Sequence, residues 1–155
     1  EHGEGVMGVV YNPILDELFC AVRGEGACCN GKTIHVSTQD TLQQALIATG
    51  FPYSKVEQGA DYAWVMQTMD KMLPHVRDIR RLGSAALDLC YVARGTMDGY
   101  YEINLKPWDA AAGLIIAQEA GALVTSVDGS PVHFENTTVI AANPSLHQQI
   151  VQQLQ

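Results

Sequence analysis

Basic residues are scarce in this 155-residue chain: 9 Lys and Arg stand against 17 Asp and Glu, for a formal net charge of −8. Arg80-Arg81 is the only adjacent basic pair. A nucleic-acid partner is therefore not expected, because neutralising phosphates takes clustered Lys and Arg. Long apolar runs are missing as well. None nears the roughly 20 residues of a membrane-spanning helix, so no membrane partner is expected, and no signal peptide is visible. The four cysteines, Cys20, Cys28, Cys29 and Cys90, form no C-x-x-C pair, and no two histidines sit at zinc spacing. A zinc site and a disulfide framework are both unexpected; reduced, mostly buried thiols in a cytoplasmic protein are the plain reading.

What is present is globular. The chain is 47% apolar and 17% charged, without repeats or low-complexity tracts. A single domain of this size buries roughly 70% of its unfolded surface. The chain opens on Glu1-His2-Gly3-Glu4, as though entering in mid-sheet.

Val6 to Tyr11 and Leu18 to Val22 read as a hairpin around Asn12-Pro13 and Asp16-Glu17. A glycine-punctuated stretch and a short strand over Lys32 to Val36 follow. A polar segment, Ser37 to Gln44, divides residues 1–43 from residues 44–155, where strands and helices alternate. Strands are expected over Ala45–Thr49, Asp78–Leu82, Tyr100–Ile103, Leu123–Val127 and Thr138–Ala142. Helices are expected over Ala60–Leu73, from Ser84 as N-cap to Ala93, over Asp109–Ala120 and over Ser145–Leu154. The first should present Trp64, Val65, Met69, Met72 and Leu73 on one face, and Pro74 should stop it. The second is apolar nearly all round and should be buried. Alternation of this kind specifies an α/β architecture, a mixed sheet flanked by helices.

Asp109 stands where a strand gives way to a helix, in Lys106-Pro107-Trp108-Asp109. A carboxylate there can cap the helix and answer its positive dipole end, or it can face a cleft and bind a hard cation such as Mg²⁺. The five histidines are scattered and read as structural or solvent-facing. Arg80-Arg81 can reach a phosphate or a subunit neighbour, or pair with Asp78 or with carbonyl groups at the sheet edge.

Four blocks, Gly83-Ser84-Ala85-Ala86-Leu87-Asp88-Leu89, Asp98-Gly99-Tyr100-Tyr101-Glu102, Pro107-Trp108-Asp109-Ala110-Ala111-Ala112-Gly113 and Glu119-Ala120-Gly121-Ala122, resemble the bacterial branch of the inositol monophosphatase family. Gly8 to Pro13, Arg23 to Ala27 with Asn30-Gly31, and Ile140 to Pro144 match its earlier and last segments in order. The resemblance implies an αβαβα layered sandwich, of which residues 1–43 would be remaining strands of the first sheet. It implies a Mg²⁺-dependent, lithium-inhibited phosphomonoesterase, usually a homodimer, whose metals generate a nucleophilic water and stabilise the leaving oxygen. By the same resemblance Asp109 is a metal ligand that also contacts a substrate hydroxyl, and Glu102 binds substrate hydroxyls. Ser84 and Ala85 form the turn whose backbone lies against the substrate.

The family's first metal site uses a glutamate and a D-P-x-D-G-T segment upstream of the strand where this chain begins; neither Asp98-Gly99 nor Asp128-Gly129 follows Asp-Pro. The expectation is a substrate-recognition portion that is inactive alone, with no catalytic residue of its own and with apolar surface exposed on the first sheet. A truncated, non-catalytic product acting through protein contacts is the alternative. Sugar-bisphosphate and nucleotide phosphatases are related enzymes; the single Glu102, and only Lys106 as a basic neighbour of Asp109, favour a neutral polyol monophosphate.

Overall fold

Two sheets carry the chain, and two helices fill the space between them. The computed structural model describes residues 5–134 and 137–155. Glu1 to Glu4, with the sequence readings that fall on them and on His2, lie outside the described residues, as do Glu135 and Asn136. In the first sheet β1 (Met7–Asn12), β2 (Glu17–Val22), β3 (Gly26–Cys29) and β4 (Lys32–Thr33) are antiparallel neighbours in chain order. Asn30 and Gly31, at φ 49° and 74°, make the two-residue turn between β3 and β4, the backbone that Asn-Gly adopts most readily. The expected strand to Val36 is shorter because the chain turns away: Val36 donates its N–H to the Ala120 carbonyl (3.1 Å).

The second sheet has the order β6-β5-β7-β9-β8, built from β5 (Leu46–Thr49), β6 (Asp78–Arg80), β7 (Gly99–Ile103), β8 (Leu123–Thr125) and β9 (Thr138–Ala142). β5 runs parallel to β6 and β7, and β9 antiparallel to β7 and β8, so the sheet is mixed. The helices are α1 (Ala60–Met72), α2 (Ala85–Ala93), α3 (Pro107–Glu119) and α4 (Pro144–Leu154). Among the described residues, no helix is long and apolar enough to cross a membrane.

Burial divides the core into two clusters. Phe19, Ala21 and Ala27 of the first sheet meet Leu89, Val92, Ile116 and Ala117 of α2 and α3, which pack in turn on Ala48, Tyr100, Val139 and Ala141. On the far side of the second sheet, Ile47, Tyr101, Ile140 and Ala142 pack against Met72, Leu146, Ile150 and Leu154. The layers run sheet, α2 with α3, sheet, α1 with α4. α2 is apolar nearly all round because both of its sides are covered. On the first sheet's other face, Met7, Val9, Tyr11, Leu18 and Val22 remain exposed, as expected from the sequence. Their register places Met7 opposite Val22 and Tyr11 opposite Leu18, so they form one patch. Cys20 and Cys28 are cross-strand partners on β2 and β3 with sulfurs 2.8 Å apart, and all four cysteines are free.

Two expectations shift in detail. Leu73 is 55% exposed, and Thr68 takes the buried position instead. α1 tightens into a 3-10 turn over Leu73–His75, and this rotates Leu73 off the buried face. α3 begins at Pro107, with Lys106 as N-cap, so Asp109 lies in the first turn and not at the cap. Proline suits the first helical position because its missing N–H has no partner there.

Gly8 of β1 is pressed against α3. A Cβ built on it would stand 2.4 Å from the Ala112 carbonyl oxygen, a backbone atom that moves only if the helix moves. Gly8→Ala should therefore lower the urea-unfolding free energy by about 1–3 kcal/mol, the cost of overpacking a filled core. An unchanged denaturation midpoint would show that α3 and β1 have slack.

Candidate active site

A cavity of about 250 Å³ opens where β5 and β7 end and where α2 and α3 begin. Carboxyl ends of parallel strands and amino ends of helices meet here, the arrangement in which α/β folds gather ligands and in which N–H groups and helix dipoles favour anions. Ser84, Ala85, Glu102 and Asp109 all line this cavity. The structure brings together the four residues singled out from the sequence.

Ser84 caps α2: its φ of −143° is extended, and its hydroxyl accepts the Leu87 N–H at 3.4 Å. Gly83 precedes it at φ +95°, the left-handed region that suits glycine. Asp109 performs part of a capping role from inside the first turn. Its Oδ2 accepts the Lys106 backbone N–H at 3.0 Å, and the Tyr53 hydroxyl lies 3.5 Å from Oδ1. Asp109 thus serves the helix start through one oxygen while also lining the cavity.

Glu102 is 9% exposed and accepts a 2.6 Å hydrogen bond from the Tyr100 hydroxyl. Burial raises its carboxyl above the ordinary range, while Tyr100 and Arg81 pull the other way and Asp109 adds to the rise. Its carboxyl lies flat on Gly50: a Cβ there would stand 2.1 Å from all three carboxyl atoms. Only a residue without a side chain leaves Glu102 this space.

Sequence reasoning missed several lining residues. Arg81 lines the cavity and stacks on Phe51 at 5.5 Å, whereas Arg80 makes the expected pair with Asp78 at 2.5 Å. Trp108 is 80% exposed at the rim. Asp88 was hidden inside an otherwise apolar helix. It is 1% exposed, and neither of its carboxyl oxygens meets a protein donor. Burial first, then Glu102, pushes this carboxyl from 3.8 up to about 7, against the pull of Arg81.

Among the described residues, no group of three or more His, Cys, Asp or Glu side chains is arranged to hold a metal ion. Asp109 contributes one carboxylate to the cavity. The residues present do not make a Mg²⁺ site by themselves, since that ion demands near-octahedral oxygen coordination.

A model of the inositol monophosphatase family matches residues 1–155. The chain belongs to the inositol monophosphatase family. It is 42% identical over 142 residues to the Nus factor SuhB of Vibrio cholerae, a match covering 92% of this chain and 52% of that protein. The extragenic suppressor protein suhB of Bartonella henselae superposes with a TM-score of 0.93 at 39% identity, covering 100% of this chain and 58% of that one. Inositol monophosphatase from Anabaena superposes at 0.91 and 38% identity, covering 98% and 59%. The chain thus spans about half the length of the curated relatives it matches. The name Nus factor, borne by such a relative, leaves the exclusion of nucleic acid drawn from charge without support.

The Asp88 carboxyl gives stability a pH dependence whose sign is fixed. The unfolded chain releases this proton near its ordinary 3.8, while the folded chain keeps it to about 7. Between those values the unfolded state binds fewer protons, so stability falls as pH rises, by up to about 1.4 kcal/mol per pH unit, and levels off above. Asp88→Asn should remove that part of the slope in urea-unfolding curves recorded from about pH 4 to 8. Identical slopes in both proteins would place the carboxyl in a solvated setting.

Proposed function

We propose that this chain supplies the substrate-recognition portion of a Mg²⁺-dependent phosphomonoesterase that hydrolyses a polyol monophosphate to polyol and phosphate. The observation that carries this reading is the convergence of Ser84, Ala85, Glu102 and Asp109 on one cavity at the amino ends of α2 and α3, in a chain of the inositol monophosphatase family. In this reading the Ser84-Ala85 backbone lies against the substrate, Glu102 accepts its hydroxyls, and Asp109 offers a carboxylate oxygen to the cation and a contact to a hydroxyl. The cation's remaining ligands are not among the carboxylates of this cavity.

The lining favours a neutral polyol over a bisphosphate. Asp88, Glu102 and Asp109 face the space with Arg81 as the cation among them, and a second phosphate there would meet net negative charge. Unbridged cysteines support a cytoplasmic, reducing setting. Homodimerisation belongs to the same reading and is measured by light scattering. A contact-only role is the second reading, favoured by the name Nus factor on the Vibrio cholerae relative.

The test is phosphate release from myo-inositol 1-phosphate with Mg²⁺. The 155 residues alone should be inactive. Joined to the upstream part of a relative that carries the glutamate and the D-P-x-D-G-T segment, they should turn over. Asp109→Asn should then cost roughly a hundredfold in rate or more, as loss of a metal-binding carboxylate does. It should leave a contact-only role intact. Full activity in the Asp109→Asn protein would overturn the assignment.

A further inference from the structure

The pleat of the first sheet sorts its three cysteines onto two faces, because successive residues of a strand point to opposite sides. Phe19 and Ala21 of β2 and Ala27 of β3 are buried against α2 and α3. Cys20 and Cys28 therefore face outwards, and Cys29 faces the helices. Cys90, on α2, is 0% exposed. Cys20 and Cys28 are partly exposed, in a row that runs across the sheet from Val9 on β1 to Thr33 on β4. Val9 and Thr33 are themselves exposed, so a small molecule can reach the pair.

Their register suits a bond. The Asn30 N–H reaches the Leu18 carbonyl at 2.9 Å, and Cys20 and Cys28 lie two residues further along the ladder, so they too are a hydrogen-bonded pair. Such pairs hold their Cα atoms about 5.5 Å apart, and the commonest separation in disulfides is about 5.5–6 Å. The turn between the strands is clamped as well. Both carboxylate oxygens of Glu119, at the end of α3, accept backbone N–H groups, from Gly24 and Gly26, at 3.0 Å each. The two sulfurs, 2.8 Å apart, thus sit on elements that need not move for them to join.

We propose that Cys20 and Cys28 form an oxidation site, a dithiol that small disulfides convert to a cross-strand disulfide and that small thiols restore. The thiolate of one cysteine attacks a sulfur of the small disulfide, forming a mixed disulfide and releasing one small thiol. The other cysteine then attacks the protein sulfur of that mixed disulfide, which closes the Cys20–Cys28 bond and expels the second small thiol. Two protein thiols are oxidised, one small disulfide is reduced, and the two protons pass to the expelled thiols. The closing step joins groups already in contact, so the mixed disulfide does not accumulate. Cys29 adjoins Cys28 in sequence but lies on the other face, and Cys90 is closed off from the oxidant, so neither competes. A reducing cytoplasm keeps the pair open.

The experiment incubates the reduced 155-residue chain with excess oxidised glutathione and follows intact mass, thiols titrated after denaturation, and the peptide map. The expected product is a single chain lighter by two hydrogen atoms, with two of its four thiols lost and a Cys20–Cys28 linkage that dithiothreitol reverses. Cys29→Ala should bridge as the native chain does. Cys20→Ser and Cys28→Ser should each hold one glutathione instead, at about tenfold or more the adduct level of the native chain, because the resolving thiol is gone. Should any variant fail to fold, the peptide map of the native chain decides by itself. Retention of all four thiols would overturn the proposal. So would a bridge through Cys29 or Cys90, or stable glutathione adducts on Cys20 and Cys28 of the native chain.

Discussion

How closely α3 can approach its neighbours decides where everything else in this chain lies. The helix is wedged between the first sheet and α2, and at both contacts the space for a side chain has been removed. A Cβ on Gly113 would come within 2.9 Å of the Leu89 side chain and 3.2 Å of the Ala86 carbonyl; one on Gly8 would run into the Ala112 carbonyl. Close contact of backbones brings many atoms within dispersion range at once, which compensates for the small side chains that allow it. It also sets the first turns of α2 and α3 beside each other. The cavity is what remains between those turns and the ends of β5 and β7.

The electrostatics follow from that placement. Two helix amino ends supply partial positive charge, and three acids answer it at unequal depth. Asp109, at the rim, is tied to the Lys106 backbone. Glu102, deeper, is held by the Tyr100 hydroxyl in space that Gly50 leaves open, and Asp88, deepest, has no protein donor. Depth rather than identity separates the carboxyls. Burial is the leading cause of the upward displacement of both Glu102 and Asp88.

Much of this was legible in the sequence, and what was not has a common cause. Strand and helix periodicity located the elements, because alternating and all-apolar patterns report which faces are covered. Ser84 as a cap was readable from its place before an apolar run, and the Asn30-Gly31 turn from its residue types. The end of α1 was misjudged at Leu73, since nothing in the local pattern announces a 3-10 turn running from Leu73 through Pro74 to His75. Asp109 was readable as a special residue but not as a first-turn one, because Pro107 extends the helix backwards. Family resemblance pointed to Glu102; composition alone would have left it as a strand-end acid. Gly50 and Asp88 escaped notice because their meaning lies across the fold. Gly50 matters for a side chain 52 residues away, and Asp88 for a cavity that no single segment encloses.

The exposed patch of Met7, Val9, Tyr11, Leu18 and Val22 makes the chain an ionic-strength-dependent colloid. A formal charge of −8 holds copies apart while the Debye length is long, near 30 Å at about 0.01 M salt. At about 0.15 M that length shrinks to roughly 8 Å, and two patches can meet before their charges are felt. Attraction between the sheets is short-ranged and nearly indifferent to salt, whereas the repulsion is not. Dilute buffer should therefore favour separate copies, and added salt should shift the balance towards adhesion through this face.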